Sequence, residues 1–364
     1  MQIKKATAFL FPKKLLRGHI IWILIFLLAP ISFYTPEAVR HALTLCIESI
    51  IPAVFPFVLI SSLISIGGLS YGVGRLFYPI FHPIFKCSHS VAAAIALGFL
   101  CGYPVGASVA AEAYDKGEIS KAEFENTLCF INNPSPAFVI GFVGTSLLGN
   151  SRIGAIIYLS VCLSAVLVGA LINIRPNDSN VLDPLSRTSS SPTSISLVIT
   201  EALMRSGASM INICTCIVTF FSVSALICKL IPATPQIVKA FVCGIFEISS
   251  GVRAASELDR EILAPTICAA ICSWSGISVQ MQILSVCRGR GIKFSKFIIS
   301  KAMQAVISSI LTYLLILLTD PISAPAFSYR PDLLRIIRTM ILFLAVAFTV
   351  IAIRLDSSRK HRTK

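Results

Sequence analysis

The chain has 364 residues, of which 55% are hydrophobic and 13% charged, with a mean hydropathy of +0.83 and a formal net charge of +14. A soluble surface needs about a quarter of its residues charged, and the apolar residues here gather in long blocks, many close to the ~20 residues that span a bilayer. This excludes a soluble enzyme and a disordered chain, and the absence of period-two alternation excludes an outer-membrane barrel.

The expected class is all-α: a polytopic integral membrane protein with two repeats, read as inverted, each containing paired broken helices that form helical hairpins. Its partner is the lipid bilayer and not nucleic acid, because the basic residues flank the apolar blocks, the cytoplasmic pattern. Self-association into a homo-oligomer stays open.

In chain order, residues 1–36 read as a basic cytoplasmic N-terminus (Lys4, Lys5, Lys13, Lys14, Arg17) and a first span. No small-x-small cleavage site follows Ile20–Ala29, so this span is read as uncleaved. Residues 37–174 form the first repeat: a helix from Pro36 interrupted at Pro52–Pro56, a proline-broken aromatic segment Phe77–Phe85, and a long block from Ser90. Residues 175–195, rich in Ser, Pro, Asn and Asp, form a polar linker. Residues 196–328 form the second repeat, without an aromatic segment. Residues 329–364 carry the last span and a basic tail. With a third basic cluster at Arg288, Arg290, Lys293 and Lys296, both termini are expected in the cytoplasm and the number of full spans is even.

Both long blocks share one layout: apolar run, Gly-rich break, short helix, charged turn, short helix, polar break, apolar run. In the first half the breaks Gly102-Tyr103-Pro104 and Asn132 to Pro136 flank the turn Asp115–Glu118. At 1.5 Å per residue each arm is about 17–25 Å long, against a hydrocarbon core of about 30 Å. The two breaks therefore reach a similar depth, near the membrane centre. In the second half Glu247–Gly251 and Ser273–Gly276 flank the turn Glu257–Glu261 in the same way. Paired broken helices in matching positions of two repeats point to a transporter's substrate site. Ser120 and Glu123 form a capping box at the head of the forward arm, and Pro104 and Pro136 suit the first position of new helices.

Helix N-termini at these breaks carry unsatisfied N–H groups, a natural anion site without any charged side chain. Asn132 and Asn133 read as substrate or gate contacts, with helix capping as the alternative. Tyr103 is balanced between a site role and a packed ring. Glu247 is the acid deep in the run Val242–Ile248, functional by default in a membrane, or else paired with Arg253. Ser249 or Ser250, and Ser275 or Ser278, are candidate caps, and Gln280 and Gln282 extend the polarity. The substrate-binding candidates are Gly102, Tyr103, Pro104, Asn132, Asn133, Ser135, Glu247, Ser249, Ser275, Gly276, Ser278 and Gln280. Gly98, Gly102 and Gly106 recur every four residues, a close-packing pattern. The twelve cysteines form no Cys-x-x-Cys pair, so no metal is expected. With no P-loop, HExxH helix or Gly-x-Ser-x-Gly elbow, neither enzyme activity nor a cofactor is expected.

The runs Gly98-Phe-Leu-Cys-Gly-Tyr-Pro-Val-Gly-Ala107, Lys116–Ser120, Phe130–Phe138, Gly144, Gly244–Gly251, Ala254–Ser256 and Trp274–Gln280 resemble the YlbJ (SpoVV) family of sporulation integral membrane proteins, over about residues 20 to 320. Through that family the chain is similar to the nucleoside-recognition, or gate, domain of concentrative nucleoside transporters and ferrous-iron permeases. The resemblance implies transport of a small organic anion, dipicolinic acid, from the mother cell across the outer forespore membrane for cortex completion, with both termini in the mother-cell cytoplasm. The alternatives are a nucleoside or related heterocycle as cargo, or a non-transporting scaffold for spore-envelope assembly.

Overall fold

The computed structural model describes residues 35–172, 194–231, 235–258 and 261–319. The expected first span before residue 35, the linker and the last span with its basic tail lie outside these. The described residues form an all-α polytopic membrane protein. Five helices are long and apolar enough to cross a bilayer: Pro36–Ile66, Ser151–Ile172, Ile195–Leu230, Leu263–Val286 and Ser295–Thr319.

Helix α1 (Pro36–Ile66) contains a π-turn at Cys46–Ile50. Pro52 and Pro56 both follow this turn within the same helical run, so the expected interruption at Pro52–Pro56 is absent and the irregularity is the π-turn just before it. The aromatic segment belongs to α2 (Ser70–Phe85), which ends at left-handed Lys86 and meets α3 (His89–Cys101) at 96°. Helix α4 (Val105–Asp115) leads to the charged turn, and α5 (Lys121–Ile131) returns from it, headed by the expected capping box of Ser120 and Glu123. A wide π-helix, α6 (Ala137–Leu147), continues to a short turn, and α7 (Ser151–Ile172) closes the first half. The second half is α8 (Ile195–Leu230), α9 (Gln236–Phe246), α10 (Ile248–Ser256), α11 (Leu263–Trp274), α12 (Gly276–Val286) and α13 (Ser295–Thr319).

Apart from α2, the same order of elements occurs twice. The principal packing between halves is reciprocal: α5 packs on α13 and its counterpart α11 on α7, while α4 touches α12 and α10 touches α6. Helices α1 and α8, themselves counterparts, pack together, as do α7 and α13.

Each half contains a tight hairpin made possible by glycine. On α3 and α4, a Cβ on Gly98 would lie 2.4 Å from the carbonyl of Ile131 and 3.2 Å from Gly106 Cα. On α9 and α10, a Cβ on Gly251 would lie 2.3 Å from Gly244 Cα. The Gly98–Gly106 spacing is therefore packing between the hairpin's own arms.

The hairpins enter from opposite ends of the bundle. Ser90 at the base of the first donates to Glu118 in its turn at 2.6 Å, and Arg290, in the loop after α12, bonds Asp115 of the same turn at 2.8 Å. Helices α11 and α12, together long and apolar enough to cross a bilayer, separate that loop from the second turn. There Gln236 at the base of the second hairpin donates to Glu257 at 2.8 Å.

Candidate functional site

The breaks meet in pairs. In the first half the Tyr103 N–H donates to the carbonyl of Asn133 at 3.0 Å. Gly102 (φ 83°) approaches so close to the other break that a Cβ there would lie 2.8 Å from the Ser135 nitrogen. Tyr103 and the Asn pair thus share one depth, as the equal arm lengths require. Ser135 Oγ accepts from the N–H of Phe138 at 3.3 Å and caps α6, as expected of a serine before proline.

In the second half Glu247 is fully buried and extended between α9 and α10. Its Oε1 accepts from the Ser249 N–H at 2.9 Å and its Oε2 from the Ser250 N–H at 2.7 Å. Glu247 therefore caps α10, where Ser249 or Ser250 was expected to do so, and Arg253 is exposed and makes no ion pair with it. A carboxylate at a helix N-terminus gains both the dipole and charge-assisted bonds. This end is consequently not an anion site free of charged side chains: the protein's own carboxylate fills it. Gly276 packs against Glu247, its Cβ position 3.3 Å from Glu247 Cα.

The hairpin tips face one cavity. Gly102, Tyr103 and Ser135 line it from the first half, Glu247, Ser249 and Gln282 from the second, with apolar walls from Val54 of α1, Phe138 of α6 and Ile213 of α8. On three of the lining residues, Tyr103 OH, Ser249 Oγ and Gln282 Oε1 are buried and have no hydrogen-bond partner among the described residues.

Other candidates lie elsewhere. Pro104 lines a neighbouring serine-rich cavity. Ser275, in the left-handed region at φ 73°, turns its hydroxyl back to the carbonyls of Cys272 and Ser273, both at 3.4 Å, and makes no capping bond to α12. Ser278 is buried with an unpartnered hydroxyl but does not line the cavity, and Gln280 donates to the Trp274 carbonyl at 3.4 Å. Asn132 and Asn133 do not line it either. Their amides donate to the carbonyls of Leu128 and Phe130 at 3.0 and 2.8 Å. Behind them, Lys301 Nζ of α13 donates to the Asn132 carbonyl at 2.8 Å, and Gln304 Nε2 donates to Asn133 Oδ1 at 2.7 Å.

Sequence reasoning missed Lys301 and Gln304. The signal was present, since Lys301 is a cation inside the apolar run 297–319, but it sits just beyond the basic loop and reads as its last member. It is fully buried. Gln282 was legible only as added polarity.

No family model matches the chain, and no solved structure matches it. The chain is 26% identical over 316 residues to the sporulation integral membrane protein YlbJ of Bacillus subtilis, and the match covers 77% of each chain.

Proposed function

We propose that the chain is a secondary transporter or facilitator of a small organic anion, a dicarboxylate such as dipicolinic acid, which passes between the two hairpin tips. The observation that carries this reading is that three residues lining one cavity, Tyr103, Ser249 and Gln282, each carry a buried side-chain oxygen with no hydrogen-bond partner among the described residues. Leaving a buried polar atom unpaired costs about 1–3 kcal/mol, and most such atoms in folded proteins are paired. Three of them, drawn from both hairpins, suit a ligand bearing several hydrogen-bonding atoms. A scaffold for spore-envelope assembly has no use for them.

The likeness to YlbJ supports a membrane role in sporulation; placement in the outer forespore membrane rests on the sequence resemblance alone. Kinship with the nucleoside-transporter gate domain rests on the sequence resemblance alone. Glu247 sets a condition on the cargo. A dianion beside a bare buried carboxylate is repelled, so the substrate binds when a proton is shared between Glu247 and the substrate carboxylate. That requirement would tie movement of the anion to movement of a proton.

Glu247 also favours a second reading, a neutral heterocycle or nucleoside, since the cavity's polar lining is otherwise hydroxyl and amide. Uptake of radiolabelled dipicolinate into proteoliposomes, with unlabelled dipicolinate and a nucleoside as competitors, separates the two. Saturable uptake unaffected by nucleoside supports the anion. Nucleoside uptake without dipicolinate uptake supports the heterocycle, and uptake of neither leaves the scaffold.

A further inference from the structure

A second cavity lies end to end with the first along the same helices. On α1 it is lined by Ser61, Ser62 and Ser65, whereas Val54, further toward the helix start, lines the break cavity. On α8 Arg205 and Ser209 line it, and Ile213 and Ile217 carry the same four-residue stripe into the break cavity. On α4 Pro104, Ser108 and Glu112 line it, directly beyond Tyr103.

All three helices agree in direction. Ser65, Glu112 and Arg205 stand at the outer end, and Val58, Pro104 and Ser209 at the inner end. That outer end is the end of the Asp115–Arg290 contact, and so the end of the basic loop. Ser108 is exposed although Val105–Ala107 and Val109–Ala111 on both sides of it are buried, so the first turns of α4 are left uncovered at this point.

Local back-bonding accounts for part of the serine content. Ser108 Oγ donates to the Pro104 carbonyl at 3.2 Å and Ser209 Oγ to the Arg205 carbonyl at 2.9 Å, a habit of serine in helices. It does not account for the charges at the mouth. Arg205 lies 3.5 Å from Glu112 and 3.7 Å from Glu201, while Glu112 also pairs with Lys116 at 2.7 Å and accepts from Ser65 Oγ. Helix α8 has 36 residues, about 54 Å at 1.5 Å per residue, well beyond the ~30 Å hydrocarbon core. Arg205, about three turns from its start, is half exposed; an exposed ion pair is weak, and an arginine can exchange one carboxylate for another.

We infer that this serine-lined passage is the substrate's route from the basic-loop side to the break cavity, with Arg205 as its anion-recruiting residue and the Arg205–Glu112 pair as the contact a substrate carboxylate displaces. This rests on the transport reading but adds a site to it. Glu112 holds Arg205 over the mouth, an arriving carboxylate takes its place, and the hydroxyls below offer donors in succession.

The test uses the full chain in proteoliposomes with Ser209→Cys, compared against its parent and against Ile211→Cys, which is 70% exposed on another face of α8. Ser209→Cys is expected to react with an anionic methanethiosulfonate about tenfold faster than with a cationic one, because the reagent's sulfonate takes Glu112's place on Arg205 through a charged hydrogen bond, and Arg205→Ala to remove that preference. Ile211→Cys should show no charge preference. In uptake, Arg205→Ala should raise KM about tenfold, the loss of one charged hydrogen bond, with kcat retained, Arg205→Lys should lie between, and Glu112→Gln should lower KM. A Ser209→Cys that is inert or indifferent to charge, with Ser108→Cys the same, overturns the passage even if dipicolinate is transported. Charge-selective labelling abolished by Arg205→Ala, in protein that takes up no dipicolinate, leaves the passage standing and removes the cargo.

Discussion

Lys301 Nζ donates to the backbone carbonyl of Asn132 at 2.8 Å, so a lysine on α13 closes the open end of α5 in the other half of the molecule. Its second bond, 2.7 Å to Gln304 Oε1, orients the amide that reaches Asn133. Among the described residues no carboxylate lies within 4.0 Å of Lys301. The two buried ionisable side chains at the breaks thus do complementary jobs. Glu247 sits where a helix begins and Lys301 where one ends, each at the pole of the dipole that favours it.

Lys301→Met keeps the volume but strands the Asn132 carbonyl and Gln304 Oε1, at about 1–3 kcal/mol for each unsatisfied group. Its thermal midpoint in detergent should fall clearly below wild type. Gln304→Leu should destabilise by a similar route, and the double variant should be less than additive because the residues share one network. A Lys301→Met protein as stable as wild type would mean the network does not hold the break.

Glu247→Gln retains one acceptor oxygen for two N–H donors and turns an NH2 toward the other, so it should cost about 1–2 kcal/mol as a lost cap. It should also change uptake far more than Glu261→Gln, since Glu261 is exposed in the second turn. Matching, near-wild-type uptake in both variants, with insertion verified, would remove Glu247 from the site.

The unpartnered atoms make a different demand. Tyr103→Phe and Ser249→Ala delete hydroxyls that bond to no protein group, so thermal stability should be unchanged or slightly raised. Uptake should nonetheless weaken, with KM rising about five- to tenfold for a hydrogen bond worth roughly 1–1.5 kcal/mol. Gln282→Leu should behave in the same way. Loss of stability without loss of affinity would show that these groups serve the fold instead of a ligand.

What the sequence revealed follows from how local each signal is. The capping box at Ser120 and Glu123 and the serine cap at Ser135 need only a few neighbouring residues, and both are present. The depth of the breaks followed from arm length, which depends only on helical rise. The direction of the side chains did not follow, because Asn132 and Asn133 look equally polar whether they face a cavity or a lysine some 170 residues later. Glu247 was legible as an anomaly, yet its role as a cap was not, since short side chains normally take that position. Folding of α3 back on α4 was concealed for a related reason. Gly98 and Gly106 read as a stripe for another helix, and only the turn at Gly102 makes them face each other.

The last prediction concerns the ends of the molecule. Helices α11 and α12, joined at Ser275, are together long and apolar enough to cross a membrane, at about 36 Å against a core of about 30 Å, so residues beside the two ends are expected on opposite faces. Arg290 follows one end and bonds Asp115 through both its Nε and Nη2, which holds the guanidinium above its usual pKa. Glu261 precedes the other. By the positive-inside rule the cluster Arg288–Lys296 is expected on the cytoplasmic face, and the mouth of the proposed serine passage with it. Cysteines introduced at Arg290 and Glu261 should therefore label with an impermeant reagent from opposite sides of oriented vesicles. Asp115→Asn should leave this pattern intact and cost no more than about 1 kcal/mol, because the pair is solvent-facing. Labelling of both positions from the same side would overturn the opposed-hairpin arrangement and, with it, the meeting of the two tips at one depth.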